Sequence, residues 1–272
     1  MPKRMSIVIY AIAAALLINA LLPGFAWALP VKLSASTQTA FDKLVAESDS
    51  ATSSNLTASY STLAQLDKDI NNWDRAASTL RHSNEEALIL LRKQLRQVNS
   101  GKLEQLEKQV QQTKVRYQPL FTLYSVLNDQ LKSTKPSKDK ELNAALKRRV
   151  QTMKITVQLA KQDIKAKEQA WKAEKNKTSK LVKSIRLVLT DIDVSKTRIK
   201  SEKSAASSKS KEYNSTWKMF NQSVKKSDKR SVATQLNKLT SLSRQISTHK
   251  QRIHEQEQKI SAVLAKAKAM LP

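Results

Sequence analysis

Apolar residues return every three or four positions through most of this chain, the interval at which a helix turns one stripe toward a partner. Two interleaved series carry the pattern from Leu146 to Ile199. One reads Val150, Val157, Ile164, Trp171, Thr178, Ile185, Ile192, Ile199, and its companion reads Leu146, Met153, Ala160, Lys167, Glu174, Leu181, Val188, Ser195. Twelve of these 16 positions are apolar in a chain that is 40% hydrophobic, so the heptad exceeds what composition alone would give. A cleaner run reads Leu103, Leu106, Val110, Thr113, Tyr117, Leu120, Tyr124, Leu127, Leu131. Upstream, Leu63, Leu66, Ile70, Trp73, Ala77 and Leu80 keep the same period, and Leu88, Leu91, Leu95 and Val98 continue it with a shifted phase. Leu239, Ile246, Ile253 and Ile260 mark a last seven-residue repeat.

Breakers of helix are scarce. Glycine and proline are missing from Val31 to Ser100 and again from Ser137 to Leu271, which permits very long helices. Four are predicted: Ser34 to Asn99, Lys102 to Ser133, Lys138 to about Lys225, and Ser231 to Ala269. At about 1.5 Å per residue the third exceeds 100 Å. Asn99-Ser100-Gly101 reads as a helix stop with Gly101 near the C-terminal cap, or as a skip within one long helix. The Ser133–Lys138 stretch around Pro136 is the clearest turn, and weaker interruptions fall at Glu47–Asn55, Ser201–Lys211 and Lys225–Ser231. Pro119 lies inside the cleanest heptad run, where a kinked but continuous helix is expected.

The expected fold is therefore all-α, an elongated antiparallel coiled coil or long-helix bundle. Each apolar stripe needs a partner helix, supplied by the same chain or by self-association with a second copy. The Pro136 turn favours the first, because it reverses the chain.

The first residues carry a different pattern. Lys3 and Arg4 precede an apolar run, Ile7 to Leu22, and Pro23-Gly24 precedes Ala26-Trp27-Ala28. This is the layout of a secretory signal peptide spanning 1–28, cleaved after Ala28. The compact signal points to a bacterial protein that is secreted, extracellular or associated with the cell wall. Two further regions follow: 29–100, a charge-balanced N-terminal helical region, and 101–272, a basic coiled-coil region packing with it.

Charge sharpens that division. The full chain is +26, with 49 Lys and Arg against 23 Asp and Glu. From Val31 to Ser100 eight bases balance eight acids, whereas Gly101–Lys200 holds 24 against 10 and Ser201–Pro272 holds 15 against 5. Charge of this size attracts polyanions in a salt-sensitive way. Lysine dominates it and lacks the planar fork with which arginine reads bidentate partners. Nonspecific attraction is expected, with Lys172, Lys175, Lys177, Lys180 and Lys183 contributing collectively.

Catalytic chemistry is not signalled. The chain has no cysteine, which excludes disulfides and thiolate metal sites. It has no Gly-rich phosphate loop and no nucleophile elbow. His82, His249 and His254 lack metal-ligand spacing and are expected at the surface. Asp67 with Asp69, and Asp191 with Asp193, stand two apart on helices and point different ways. No enzyme activity, cofactor or metal is expected. Tyr117, Phe121 and Tyr124 form a candidate aromatic patch whose competing reading is core packing, and Trp217 with Tyr213 and Phe220 reads as core.

These features point to a secreted, non-enzymatic structural or binding protein whose partner is an anionic cell-wall polymer or anionic envelope surface. The alternative is an exported coiled-coil adaptor or holdase-type chaperone that binds another exported protein. Nucleic acid is the weaker polyanion candidate because of the export signal. A helical pore-former is disfavoured, since the longest apolar stretch after the signal, Ala87–Leu91, is far too short to span lipid.

Overall fold

The structure, a computed structural model, describes residues 29, 31–134 and 140–272. Six α-helices account for nearly all of them: α1 (Ala35–Ala46), α2 (Ser50–Gln97), α3 (Ser100–Thr134), α4 (Lys140–Leu189), α5 (Asp191–Lys225) and α6 (Lys229–Ala269). No strand occurs among the described residues. The expected signal peptide, 1–28, and the Pro136 turn lie outside the described residues.

Local chemistry explains where the helices start and stop. Ser34 caps α1, its hydroxyl accepting from the Thr37 amide at 3.3 Å. Asp49 caps α2 through Thr52 N at 2.9 Å, and Asp228 caps α6 through Ser231 N at 3.0 Å. At the end of α5, Ser227 has φ 54°; its amide bonds Val224 O at 3.0 Å and the Asp228 amide bonds Ser223 O at 3.1 Å. That pair of bonds is a Schellman stop, with serine where glycine is usual.

The first expected helix, Ser34 to Asn99, divides at Glu47–Asp49, within the weak interruption read at Glu47–Asn55, into α1 and α2. Two further boundaries differ from the sequence reading. The long third helix divides at Thr190, whose hydroxyl donates to Leu187 O at 2.6 Å and whose carbonyl accepts from Asp193 N at 3.0 Å. Thr190 with Asp191 and Asp193 is a helix-start signature, with the acids complementing the positive end of α5. Ser201–Lys211, expected as an interruption, is helical throughout, because Ala206 and Ser210 keep the buried stripe going with small side chains. At the third ambiguous place, only Val98 and Asn99 leave the helix. Asn99 takes the left-handed conformation, φ 55°, while Gly101 lies within α3 with open space around it. Helix α3 runs through Pro119 without a break.

The described residues form two compact units. One comprises those up to Ser83 together with Val194–Ile260; the other comprises Asn84–Asp193 with Ser261–Pro272. In the first, Phe41, Leu44, Leu56, Leu63, Ile70, Tyr213, Trp217, Phe220, Val224, Leu236, Leu239 and Ile246 share one core, joined by Leu29 and Val31. The hydroxyl of Tyr60 donates to the Val31 carbonyl at 2.9 Å and pins that opening segment down. Full burial of each large apolar side chain contributes about 1.5–3 kcal/mol. Helices α5 and α6 run antiparallel here, since Lys238 meets Glu212 while His249 meets Glu202. Helices α2 and α6 run parallel, with Lys229 bonding the Glu47 carbonyl and Lys250 meeting Asp74.

In the second unit α3 and α4 are antiparallel. Contacts run in reverse order, from Asn99 with Thr178, through Lys114 with Glu168 and Arg116 with Asp163, to Thr134 with Asn143. All nine positions of the Leu103–Leu131 seam are buried or half-buried. So is every position of the two Leu146–Ile199 series except Lys167, which is exposed. An ammonium left in that seam would be costly without a partner, and the neighbouring Glu168 is half-buried there.

Candidate functional site

The distribution of acids on α4 creates the most distinctive surface of the second unit. This helix carries fourteen Lys and Arg against four acids: Glu141, Asp163, Glu168 and Glu174. Three of the four face α3 and meet its bases: Glu174 pairs with Lys102 at 2.9 Å, Glu168 with Lys114 at 2.6 Å, and Asp163 with Arg116 at 3.1 Å. The Lys114 ammonium holds the Glu168 carboxyl below the usual carboxylate range. Surface pairs of this kind contribute only about 0–1 kcal/mol each. Their larger effect is on charge: the three acids are turned toward α3, Glu168 also lying near Lys172, while Lys165, Lys172, Lys180, Lys183 and Arg186 form a row of bases on the outward side.

All five lysines singled out from the sequence are exposed. Lys172, Lys180 and Lys183 share the outward side across about 16 Å of helix. Lys175 and Lys177 flank them, and the Lys175 ammonium lies 4.8 Å from the centre of the Trp171 ring, a cation–π distance. Trp171 is half-buried at its seam position. The arrangement offers a cationic strip with one aromatic edge.

The aromatic trio sits elsewhere on the hairpin. Tyr117 and Tyr124 occupy the seam and Phe121 lies beside it, all half-buried. The Tyr117 hydroxyl donates to Asp163 Oδ2 at 3.1 Å, its ring centre is 6.4 Å from that of Phe121, and the Arg116 guanidinium lies 4.8 Å from its centre. These contacts tie Tyr117 into the packing of α3 on α4.

The first unit contains a polar layer that the sequence reading missed. Two of the three histidines, expected at the surface, are half-buried there. His249 Nδ1 lies 2.5 Å from Glu202 Oε2, and the His254 ring centre is 5.4 Å from that of Trp73. Lys250 meets Asp74, and Glu257 is only 3% exposed. The signal was available: three residues after Ile246 and Ile253 stand His249 and Gln256, in a series that Leu242 begins and Val263 ends. Burial pushes the Asp67 carboxyl up, with Oδ1 lacking a hydrogen-bond partner. It also raises the phenol of fully buried Tyr213.

Asn84 is a second polar residue inside a seam. It fills the step between Leu80 and Leu88 where the apolar phase shifts, and its Oδ1 accepts from the Ser261 hydroxyl at 2.7 Å.

Among the described residues no cluster of three or more His, Asp or Glu is arranged to hold a metal, and no helix is long and apolar enough to cross a membrane. Compared with known proteins, the chain matches no family model, no curated protein and no solved structure.

Proposed function

We propose that this is an exported, non-enzymatic helical protein that associates electrostatically with anionic cell-envelope polymers through the outward face of α4. The observation that carries the reading is the seam pairing of Asp163, Glu168 and Glu174, which leaves the outward row of α4 wholly basic. From Lys175 to Arg186 a linear polyanion lying along the helix meets bases for about three turns without an opposing carboxylate. Lysine point charges on flexible stems suit polymers whose phosphate or carboxylate spacing varies. The antiparallel coiled-coil bundle expected from the heptads belongs to the same proposal, supported by the reversed register of α3 and α4. So does secretion after cleavage at Ala28, supported by the Lys3 to Ala28 sequence pattern.

Co-sedimentation with purified envelopes across a salt series tests the reading. Binding is expected at low salt, falling as the Debye length shrinks from about 10 Å at 0.1 M toward about 3 Å at 1 M. It should vanish when the anionic polymers are stripped from the envelopes. Replacing Lys172, Lys175, Lys177, Lys180 and Lys183 with glutamine should weaken binding while leaving helix content unchanged. Binding that ignores both salt and these five residues would sink the proposal.

A further inference from the structure

The back of α3 is unlike the back of α4. From Gln109 to Asn128 its only charged residues are Lys114 and Arg116, and both are engaged by α4 acids. The outward positions in that interval are Gln111, Gln112, Val115, Gln118, Pro119, Thr122, Ser125 and Val126, all exposed. Val115 is 71% exposed, Val126 47%, and Leu123 at their margin 50%. In a chain of net charge +26 this is a five-turn strip with no free charge and three open aliphatic side chains.

The strip ends in charges of a particular order. Glu104, Glu107 and Lys108 stand at one end, Asp129 and Lys132 at the other, and all five are exposed. Among the described residues Asp129 pairs with its own neighbour, Lys132 Nζ lying 3.3 Å away, an exposed contact that exchanges at little cost.

We propose that a second copy of this chain docks here, α3 against α3, antiparallel about a two-fold axis beside Pro119. In that register Lys108 of one copy stands opposite Asp129 of the second copy, and Glu104 stands next to Lys132 of the second copy. By symmetry each pair forms twice. Val126 then meets Gln111 of the second copy, and Val115 meets Thr122. A parallel alignment would oppose like charges at both ends. The exposed aliphatics Ile155 and Leu159 of α4 offer no such match: Arg148, Lys154, Lys161 and Lys165 are basic, and Asp163, one turn beyond Leu159, is engaged by Arg116 of α3. The inference rests on the charge map of α3 and is independent of polyanion binding by α4.

From Glu104 to Ser133 the strip is about 45 Å long and about 10 Å wide. It offers roughly 450 Å² per copy, near half of the ~800 Å² of a standard interface. A weak, concentration-dependent dimer is therefore expected, with a Kd of about 10–100 μM.

Sedimentation equilibrium of the purified protein over a range of concentrations tests this. Lys108→Glu and Asp129→Lys should each weaken the dimer about tenfold, since each replaces two attractions by two repulsions. The double variant should recover the parent affinity. Neither surface residue bears on folding, and circular dichroism of each variant controls for it. Val115→Lys with Val126→Lys should abolish the dimer. A protein that stays monomeric at every concentration would overturn the proposal, as would a dimer indifferent to both reversals. Recovery in the double variant alone would assign the contact to this register.

Discussion

The side-chain amide of Asn99 donates to the hydroxyl of Thr178 at 3.0 Å. The same residue holds the left-handed backbone between α2 and α3, so one side chain serves both the interruption and the pairing of α3 with α4. Two substitutions separate these roles. Asn99→Ala loses the bond and keeps a strained conformation, at a cost of about 2 kcal/mol. Asn99→Gly loses the bond but relaxes the backbone, so its cost should stay under about 1 kcal/mol. Hydrogen exchange of the segments around residues 97–105 and 174–181 reads the difference. Equal protection in the two variants would mean that the backbone conformation carries no strain.

Ser227 offers a gain rather than a loss. It occupies the left-handed position of a Schellman stop with a β-carbon that glycine would lack. Ser227→Gly should stabilise the first unit by about 0.5–1 kcal/mol, read as a higher urea midpoint with an unchanged slope.

Acid should weaken both cap-held helix starts together with the α3–α4 hairpin. Hydrogen bonds from Thr52 and Ser231 hold the Asp49 and Asp228 carboxyls below their ordinary value of 3.8, and Lys114 holds Glu168 below 4.5. A carboxyl whose folded value is depressed contributes stability above its unfolded value, and that contribution is lost as pH falls through the folded one. Thermal stability should therefore fall below about pH 4.5 as these groups protonate in turn. Asparagine caps helices without titrating. Asp49→Asn with Asp228→Asn should flatten the low-pH part of the melting curve, and an unchanged slope would exclude these caps as its source.

Asp67 should behave in the opposite sense. Burial raises its carboxyl above 3.8, so its stabilising form is the protonated one, present below the ordinary value and lost as pH rises through the folded value. At neutral pH the ionised group is a burden. Asp67→Asn should raise stability there and keep an acceptor for the Asn71 amide, which donates to Asp67 Oδ2 at 3.2 Å. Loss of stability at neutral pH would show that the charge contributes a favourable contact.

Much of this architecture is legible in the sequence because burial follows the seams residue by residue. The Leu103–Leu131 run needs no correction, and Lys167 is the single departure in the next one. What the sequence hides is the identity of residues that break a rule locally. Gly101 attracts the reading of a left-handed turn, yet Asn99 adopts it, because its amide can also reach Thr178. Thr190 is inconspicuous in an apolar-rich stretch, and only the pair of acids behind it marks a helix start. His249 and Gln256 look like surface residues until the register of α6 against α2 and α5 turns them inward. That register depends on which helices become neighbours, which a seven-residue repeat does not encode. The cationic strip was half visible: its lysines can be counted, but not the removal of Asp163, Glu168 and Glu174 to the seam.

The two units also set different conditions for assembly. Thr134 and Asn143 are nine residues apart, so the pairing of α3 with α4 can begin across a short stretch of chain. Asp74 and Lys250 are 176 residues apart, and the core they flank draws on both ends of the chain. Pairings that distant close slowly. Under the proposed export, a chain threading a narrow pore would keep that core open until most of its length had passed, and delayed closure of this kind would favour transit.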